Sequence, residues 1–547
     1  MRQRITFLHA PRDAIDPATL KITDSSLHGP VLPAVREDRL TLALDELPDE
    51  LRQLLQRCDQ LHIRWVSQQA YDTISPLYAR LPPGFHLFYT PSANDGQLCH
   101  KLQEVFGPGL ASCKTTQSSF TALPENRFSH STAYQFYSSL DSISPFVAYA
   151  TNSLCPPPAS SSAAGSSSSC AARVDRLATA STLDVSFDVT ASSRDALKVT
   201  AQWSLQDQPL VVTSALDPAT HRVEVGLLAS DPAQRGLSPH ELGIAGLLTV
   251  VGQDKKPSTT VFKFPARHRR LPGTSPAFSA EFLQPTGLHP TLQLQLSQEA
   301  IRPPPPGSSS PSPRGSDKNE EHCALHAYLT LPRTIFADKY QLSDPLFLAS
   351  KNLSALSYIS QPIDLEAPDY VMDLWGSAVL LELSPPSLSS SSSSSQQWTA
   401  EIPLHLRYLA PAQGGYQDIQ IPYPAVFWAC SPSPLSTEPA KIPSSPFDKV
   451  HLGYDGLFAP DTVFWHVDPH SHAQSQGLLT SGVRVPVLDT GKAGWVRAGT
   501  AAVVALGFGW LVWKLAQVYL ATGYGPRKQM EGLEVKMKGE GEDKKTQ

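Results

Sequence analysis

The sequence contains no Cys-x-x-Cys pair, no long block of like charge and no apolar run near its start. The first absence removes a zinc ribbon or a thioredoxin-type redox centre, because both need paired thiols at that spacing. The second removes the electrostatic footprint of a nucleic-acid binder: 44 basic and 50 acidic residues give a formal charge of -6, dispersed along the chain. The one basic cluster, Arg267-His268-Arg269-Arg270, lies between Pro265 and Pro272 and reads as a solvated loop. The third means that the start, MRQRITFLHAPRDAIDP, lacks the core of a signal peptide.

Catalytic signatures are equally scarce. No GxSxG elbow, HExxH, complete P-loop or DxD occurs. Gly507 and Gly509 form only the beginning of GxGxxG, inside an apolar run. The stretch WHVDPHSH gathers His466, Asp468, His470 and His472, but the spacing matches no metal site and Pro469 favours an exposed loop. No catalytic residue, metal or cofactor is expected.

What is present points to β structure. The chain has 547 residues, enough for two or three domains, with 41% hydrophobic content. Its 50 prolines, about 9% against a typical ~5%, favour turns and short strands over long helices. Residues 1–150 mix a helix, ELPDELRQLLQRC, with strands such as LHIRWVS and HLFYT, an α+β region. Residues 173–300 alternate as half-buried strands (TLDVSFDV, KVTAQWSL, HRVEVGLL, TLQLQLS), and 322–488 carries further short strands that suggest a β-sandwich. Ser/Pro tracts at 156–170, 302–316 and 384–397 mark linkers or loop insertions, giving linkers at 151–172 and 301–321. Seven cysteines allow one or two disulfides, with Cys99 and Cys113 a candidate pair.

The stretch AEIPLHLRYLAPAQGGYQDIQIPYPAVFWAC (400–430) reads as a strand pair. Ile402, Leu404, Leu406 and Tyr408 alternate with Pro403, His405 and Arg407, which puts His405 and Arg407 on one polar face. Arg407 could meet an anionic phosphate, but an ordinary exposed strand face is the plainer reading. Gly414-Gly415 offers a turn, and Pro403 and Pro422 require edge or strand-end positions.

Near the C-terminal end, AGTAAVVALGFGWLVW is uncharged for 16 residues, a helical rise of ~24 Å. Continuing through KLAQVYLATGY gives a transmembrane helix over 496–520, with Lys514 reaching toward the headgroups and a charged tail at 521–547. Ala498, Ala502, Ala505, Gly509 and Ala516 share one helix face, which is either a partner-helix contact face or the ordinary abundance of small residues in membrane helices. The flanking positive charges only lean toward a cytoplasmic tail. Asn352-Leu353-Ser354 is the single N-glycosylation sequon, so Asn352 is the candidate glycan site.

YLTLPRTIFADKYQL (328–342), PIDLEAPDYVMDLWGSAVLLEL (362–383), PLHLRYLAP and IPYPAVFWAC (403–430) resemble the PIG-X family. MRQRITFL and REDRLTLALDELPDEL are similar to its long fungal branch. The resemblance implies a lumenal endoplasmic reticulum (ER) protein with one C-terminal span, acting as a non-catalytic subunit of GPI mannosyltransferase I; the strand patterns make it mainly β. Its partner would be a PIG-M-type catalytic subunit, which adds the first mannose to the GPI precursor; the alternative is a general ER membrane chaperone. The Ser tract at 389–395 and the Pro/Ser insertion at 302–316 depart from the family pattern and suit surface loops.

Overall fold

A computed structural model describes residues 2–92, 96–124, 133–155, 164–189, 196–214, 222–231, 241–273, 275–284, 286–305, 322–360, 364–386, 397–431, 447, 452–471 and 476–523. Most of the three Ser/Pro tracts, His472 and the tail from 524 onward lie outside the described residues. The protein is mainly β, with one long apolar helix near its C-terminal end. It divides into two units, one of Met1–Leu409 and Asp418–Arg484, the other of Ala410–Gln417 and Val485–Gln547.

Within the first unit, period-two sequences become strands with one buried face. TLDVSFD (Thr182–Asp188) and TLQLQL (Thr291–Leu296) bury every second residue, because successive side chains point to opposite sides of the pleat. Cys58–Val66, by contrast, is buried on both faces through most of its length, so it sits centrally.

Among the described residues the largest sheet has 12 strands. Two 18-residue strands, Ser26–Ala43 and Ala196–Thr213, pair antiparallel in its middle, with register shifts that bend the ribbon. Arg2–His9 lies between Ser26–Ala43 and the parallel strand Arg222–Ser230. Segments on both sides of the serine-rich tract at 156–170 therefore enter the same sheet.

A six-stranded sheet runs in the order His268–Arg270, Val463–His466, Ala425–Ser431, His322–Pro332, Gly376–Leu383, Leu353–Ile359. It faces the large sheet across a shared core that includes Phe85, Leu87 and Phe136 from one side and Tyr328, Leu380 and Phe427 from the other. That is the layered packing of a sandwich, in which each sheet covers the other's apolar face. Two hydrogen bonds cross the layer: Trp375 Nε1–H donates to the Gln135 carbonyl at 2.9 Å, and Gln135 Nε2–H donates to the Tyr328 hydroxyl at 3.1 Å. Gly376 (φ 147°) makes a close approach possible, since a Cβ there would stand 2.0 Å from the Leu331 carbonyl oxygen.

A smaller four-stranded sheet has the order Trp398–Pro403, Thr291–Leu296, Ala277–Phe282, Asp468–Pro469. Disulfides join Cys99 to Cys113, Cys155 to Cys170 and Cys323 to Cys430. The candidate pair is present, and the three bridges together are one more than the one or two that the sequence allowed. Cys323 and Cys430 are 107 residues apart yet directly opposed on neighbouring strands, a proximity created by the fold. Cys58 is buried and outside these bridges.

The basic cluster is not a loop. His268–Arg270 forms a parallel ladder with Phe464–His466, His268 is buried, and the Arg267 guanidinium lies 5.2 Å from the Phe464 ring centre. An aromatic face attracts a cation at this distance, and the Arg267 guanidinium also donates to the Thr462 carbonyl at 3.0 Å.

In the second unit, Ala493–Thr522 is one helix of 30 residues, about 45 Å long at 1.5 Å per residue. It is long enough for a ~30 Å hydrocarbon core and encloses the expected span at 496–520. None of its side chains is buried in the protein. Gly523 ends it with φ 66° and an N–H bond to the Tyr519 carbonyl at 2.8 Å.

Candidate functional site

The 400–430 stretch does not form one strand pair. Trp398–Pro403 closes the edge of the four-stranded sheet, Tyr416–Pro422 pairs with Thr480–Pro486, and Ala425–Ser431 enters the six-stranded sheet. Pro403 and Pro422 do end their strands, as their missing N–H requires.

The alternation reverses after Pro403. The chain leaves one ladder and His405–Leu406 pairs instead with Ile335–Phe336. Arg407 is consequently only 5% exposed, whereas Tyr408 is 68% exposed. The Arg407 guanidinium lies 4.5 Å from the Phe336 ring centre and donates to the Ala367 carbonyl at 2.8 Å. His405 and Arg407 therefore do not make an exposed polar strand face, and Arg407 is a buried structural cation.

The histidine-rich stretch also separates. His466 is buried, with its Nε2 3.1 Å from Nδ1 of His268. Burial and the Arg80 charge pull His466 down to about 3; burial and the neighbouring His466 lower His268 as well. Both rings remain neutral near pH 7. Asp468 meets Arg80 at 2.9 Å and Arg270 at 3.1 Å. Its burial and nearby Asp72 push the carboxyl up to about 7, against the pull of those two cations. His470 is part of a backbone connection to Phe278, and among the described residues no group of three or more His, Cys, Asp or Glu could hold a metal ion.

Features suited to contact lie elsewhere. The Asp369 N–H donates to the Tyr408 carbonyl at 3.0 Å, bringing exposed Tyr370 and Val371 alongside exposed Tyr408. Asp369 is itself held by Arg333 at 2.9 Å. Clustered exposed apolar groups of this kind are partner-surface candidates. The structural alternative is isolated surface apolarity, which is common on folded proteins.

The second unit supplies a collar at the base of the helix. Gly414 and Gly415 adopt φ 86° and 77°, confirming the expected turn. Asp489 accepts N–H bonds from Gly414 at 3.3 Å and Gly491 at 2.9 Å, while the Ala412 N–H reaches the Leu488 carbonyl at 3.1 Å. Asp489 was not a candidate from its local sequence, because its partner loop lies over seventy residues upstream. Ala498, Ala502, Ala505, Gly509 and Ala516 all lie on the helix and are exposed.

Asn352 is exposed, has φ 58°, and precedes the sheet-edge strand Leu353–Ile359. Its Nδ2 donates to the Thr399 carbonyl at 2.8 Å. An N-linked sugar leaves one hydrogen on this nitrogen, so the same contact remains chemically available after modification.

These features describe a disulfide-bonded, mainly β protein with a sandwich core and one helix long and apolar enough to cross a membrane. The bridges and the helix fit a single-pass protein with a lumenal domain. Residues 285–516 match the family model for PIG-X / PBN1. Protein pbn1 of Neurospora crassa is 52% identical over 542 residues, covering 98% of this chain and 99% of that protein. Protein PBN1 of Gibberella zeae is 44% identical over 530 residues, covering 96% and 97% respectively. Protein pbn1 of Emericella nidulans is 39% identical over 551 residues, covering 97% and 98%. The chain belongs to the PIG-X/PBN1 family.

Proposed function

We propose that this chain is a non-catalytic accessory subunit of GPI mannosyltransferase I in the ER membrane. It supports a PIG-M-type catalytic subunit that transfers the first mannose to the GPI precursor. The observation carrying this reading is the near full-length kinship with PBN1 proteins, which supports a role related to GPI-anchor biosynthesis. The architecture adds a physical argument. A single apolar helix cannot by itself enclose a polyprenyl donor and a glycolipid acceptor, whereas an anchored sandwich can brace a multi-span neighbour.

In this arrangement the disulfide-bonded body is lumenal, the tail is cytosolic, and Asn352 carries the glycan. The face formed by Ala498, Ala502, Ala505, Gly509 and Ala516 lets a partner helix approach closely. Tyr370, Val371 and Tyr408 provide a second contact patch. Binding to the folded catalytic subunit stabilises it by mass action.

Depletion followed by restoration of this chain tests the reading. The catalytic subunit should fall and mannosylated GPI precursor should be lost, with both recovering on restoration. Unchanged partner abundance and mannosylation would reject the role. A parallel loss of many unrelated lumenal proteins would instead favour the general chaperone. An endoglycosidase mobility shift that vanishes in Asn352→Gln checks both the lumenal topology and the glycan assignment.

A further inference from the structure

The surface of the first unit carries a second histidine pair, unlike the buried His268–His466 pair. The Leu404 N–H donates to the Pro290 carbonyl and the Leu406 N–H to the Leu288 carbonyl, both at 2.9 Å. These bonds continue the Thr291/Pro403 register of the four-stranded sheet by two residues. His289 and His405 consequently stand directly opposite each other, and side chains opposed in an antiparallel ladder project to the same face.

Their imidazoles meet at Nδ1, with the two nitrogens 2.8 Å apart. The His405 ring is held in place by its surroundings. Its Nε2 is 3.0 Å from Gln341 Oε1, and the ring stacks on Phe336 at 5.3 Å between centres. A hydrogen bond from Nε2–H to Gln341 leaves the His405 Nδ1 lone pair directed toward His289. This is the outer contact that commonly fixes a metal-binding histidine: one nitrogen coordinates while the other donates to a carbonyl.

We propose that His289 and His405 form a two-histidine site for a borderline divalent transition cation of the Zn²⁺ class, oriented by Gln341. Both rings ligate through Nδ1, and water fills the remaining positions. With metal–nitrogen bonds of about 2.05 Å, opening the nitrogen separation to about 3.3 Å produces a tetrahedral angle. That change is about half an ångström and requires movement only of His289, whose ring is exposed. The competing arrangement is a simple imidazole–imidazole hydrogen bond, with a proton occupying the place of the cation.

Isothermal titration of chelator-treated full-length protein with ZnCl₂, in detergent, separates these arrangements. The native chain should bind one equivalent with a Kd of about 10 µM, weaker than closed sites with four protein ligands. His289→Ala and His405→Ala should each weaken that binding at least about tenfold, and Gln341→Leu about tenfold through loss of ring orientation. His289→Ala should retain the native near-UV circular dichroism, because the replaced ring is exposed. No binding to the native chain at 1 mM ZnCl₂ would overturn the proposal. An unchanged affinity in folded His289→Ala would also overturn it, assigning zinc to other surface groups.

Discussion

The first unit buries its large apolar side chains between sheets, whereas the Ala493–Thr522 helix buries none within the protein. Phe85, Phe136, Tyr328 and Phe427 are buried among protein atoms; Val503, Leu506, Phe508 and Leu515 remain exposed. The first set stabilises the fold by leaving water. The second gains no such stabilisation until lipid or another helix surrounds it. Stability and membrane association are therefore governed by separate residues, and substitutions should separate them.

The sharpest break in the comparison is loss of the Cys323–Cys430 bridge through Cys323→Ser with Cys430→Ser. The long connection gives an expected destabilisation of about 4 kcal/mol, measured by denaturant unfolding of full-length protein in detergent. Membrane insertion should persist in carbonate extraction. Gly376→Ala should cost about 3 kcal/mol in the same unfolding measurement, because its Cβ would collide with a backbone oxygen.

Acid should also act on the first unit. His466 is held near about 3, and His86 and His326 are lowered to about 4, chiefly by burial. An unfolded imidazole has a pKa of ~6.5, so below that pH the unfolded chain binds more protons than the native protein. The stabilisation is present above about pH 6.5 and is lost as pH falls toward the lower native values. Each such histidine contributes a slope of up to about 1.4 kcal/mol per pH unit within that interval. Unfolding curves across pH 4 to 7 should show the decline, and a stable His466→Phe variant should reduce its steepness.

The smallest effect on intrinsic stability is expected in the helix. Paired Ala505→Leu and Gly509→Leu should change unfolding of the first unit by less than about 0.5 kcal/mol. Co-purification of the catalytic subunit should nevertheless fall several-fold, because bulky groups keep the helices apart. Unchanged recovery would remove this face from the proposed interface.

Several parts of this organisation were legible from local sequence. Alternation located Thr182–Asp188 and Thr291–Leu296, and continuous apolarity located the span. Both signals arise from neighbouring residues, so they survive without tertiary information. The path after Pro403 was less accessible: the same apparent alternation continues, but a change of ladder reverses which side is buried at Arg407 and Tyr408. His268 likewise looks like part of a basic loop until the distant Val463–His466 strand covers it. The His289–His405 pair and the Asp489 collar depend on similarly remote partners, for which local periodicity provides no signal.

Mannosyl transfer with purified components tests the accessory role most directly. Dolichol-phosphate mannose and the GPI acceptor are supplied to this chain alone, to the catalytic subunit alone, and to both together. This chain alone should transfer no mannose, while its addition should prolong the activity of the catalytic subunit. Normal turnover by this chain without the other protein would contradict the account.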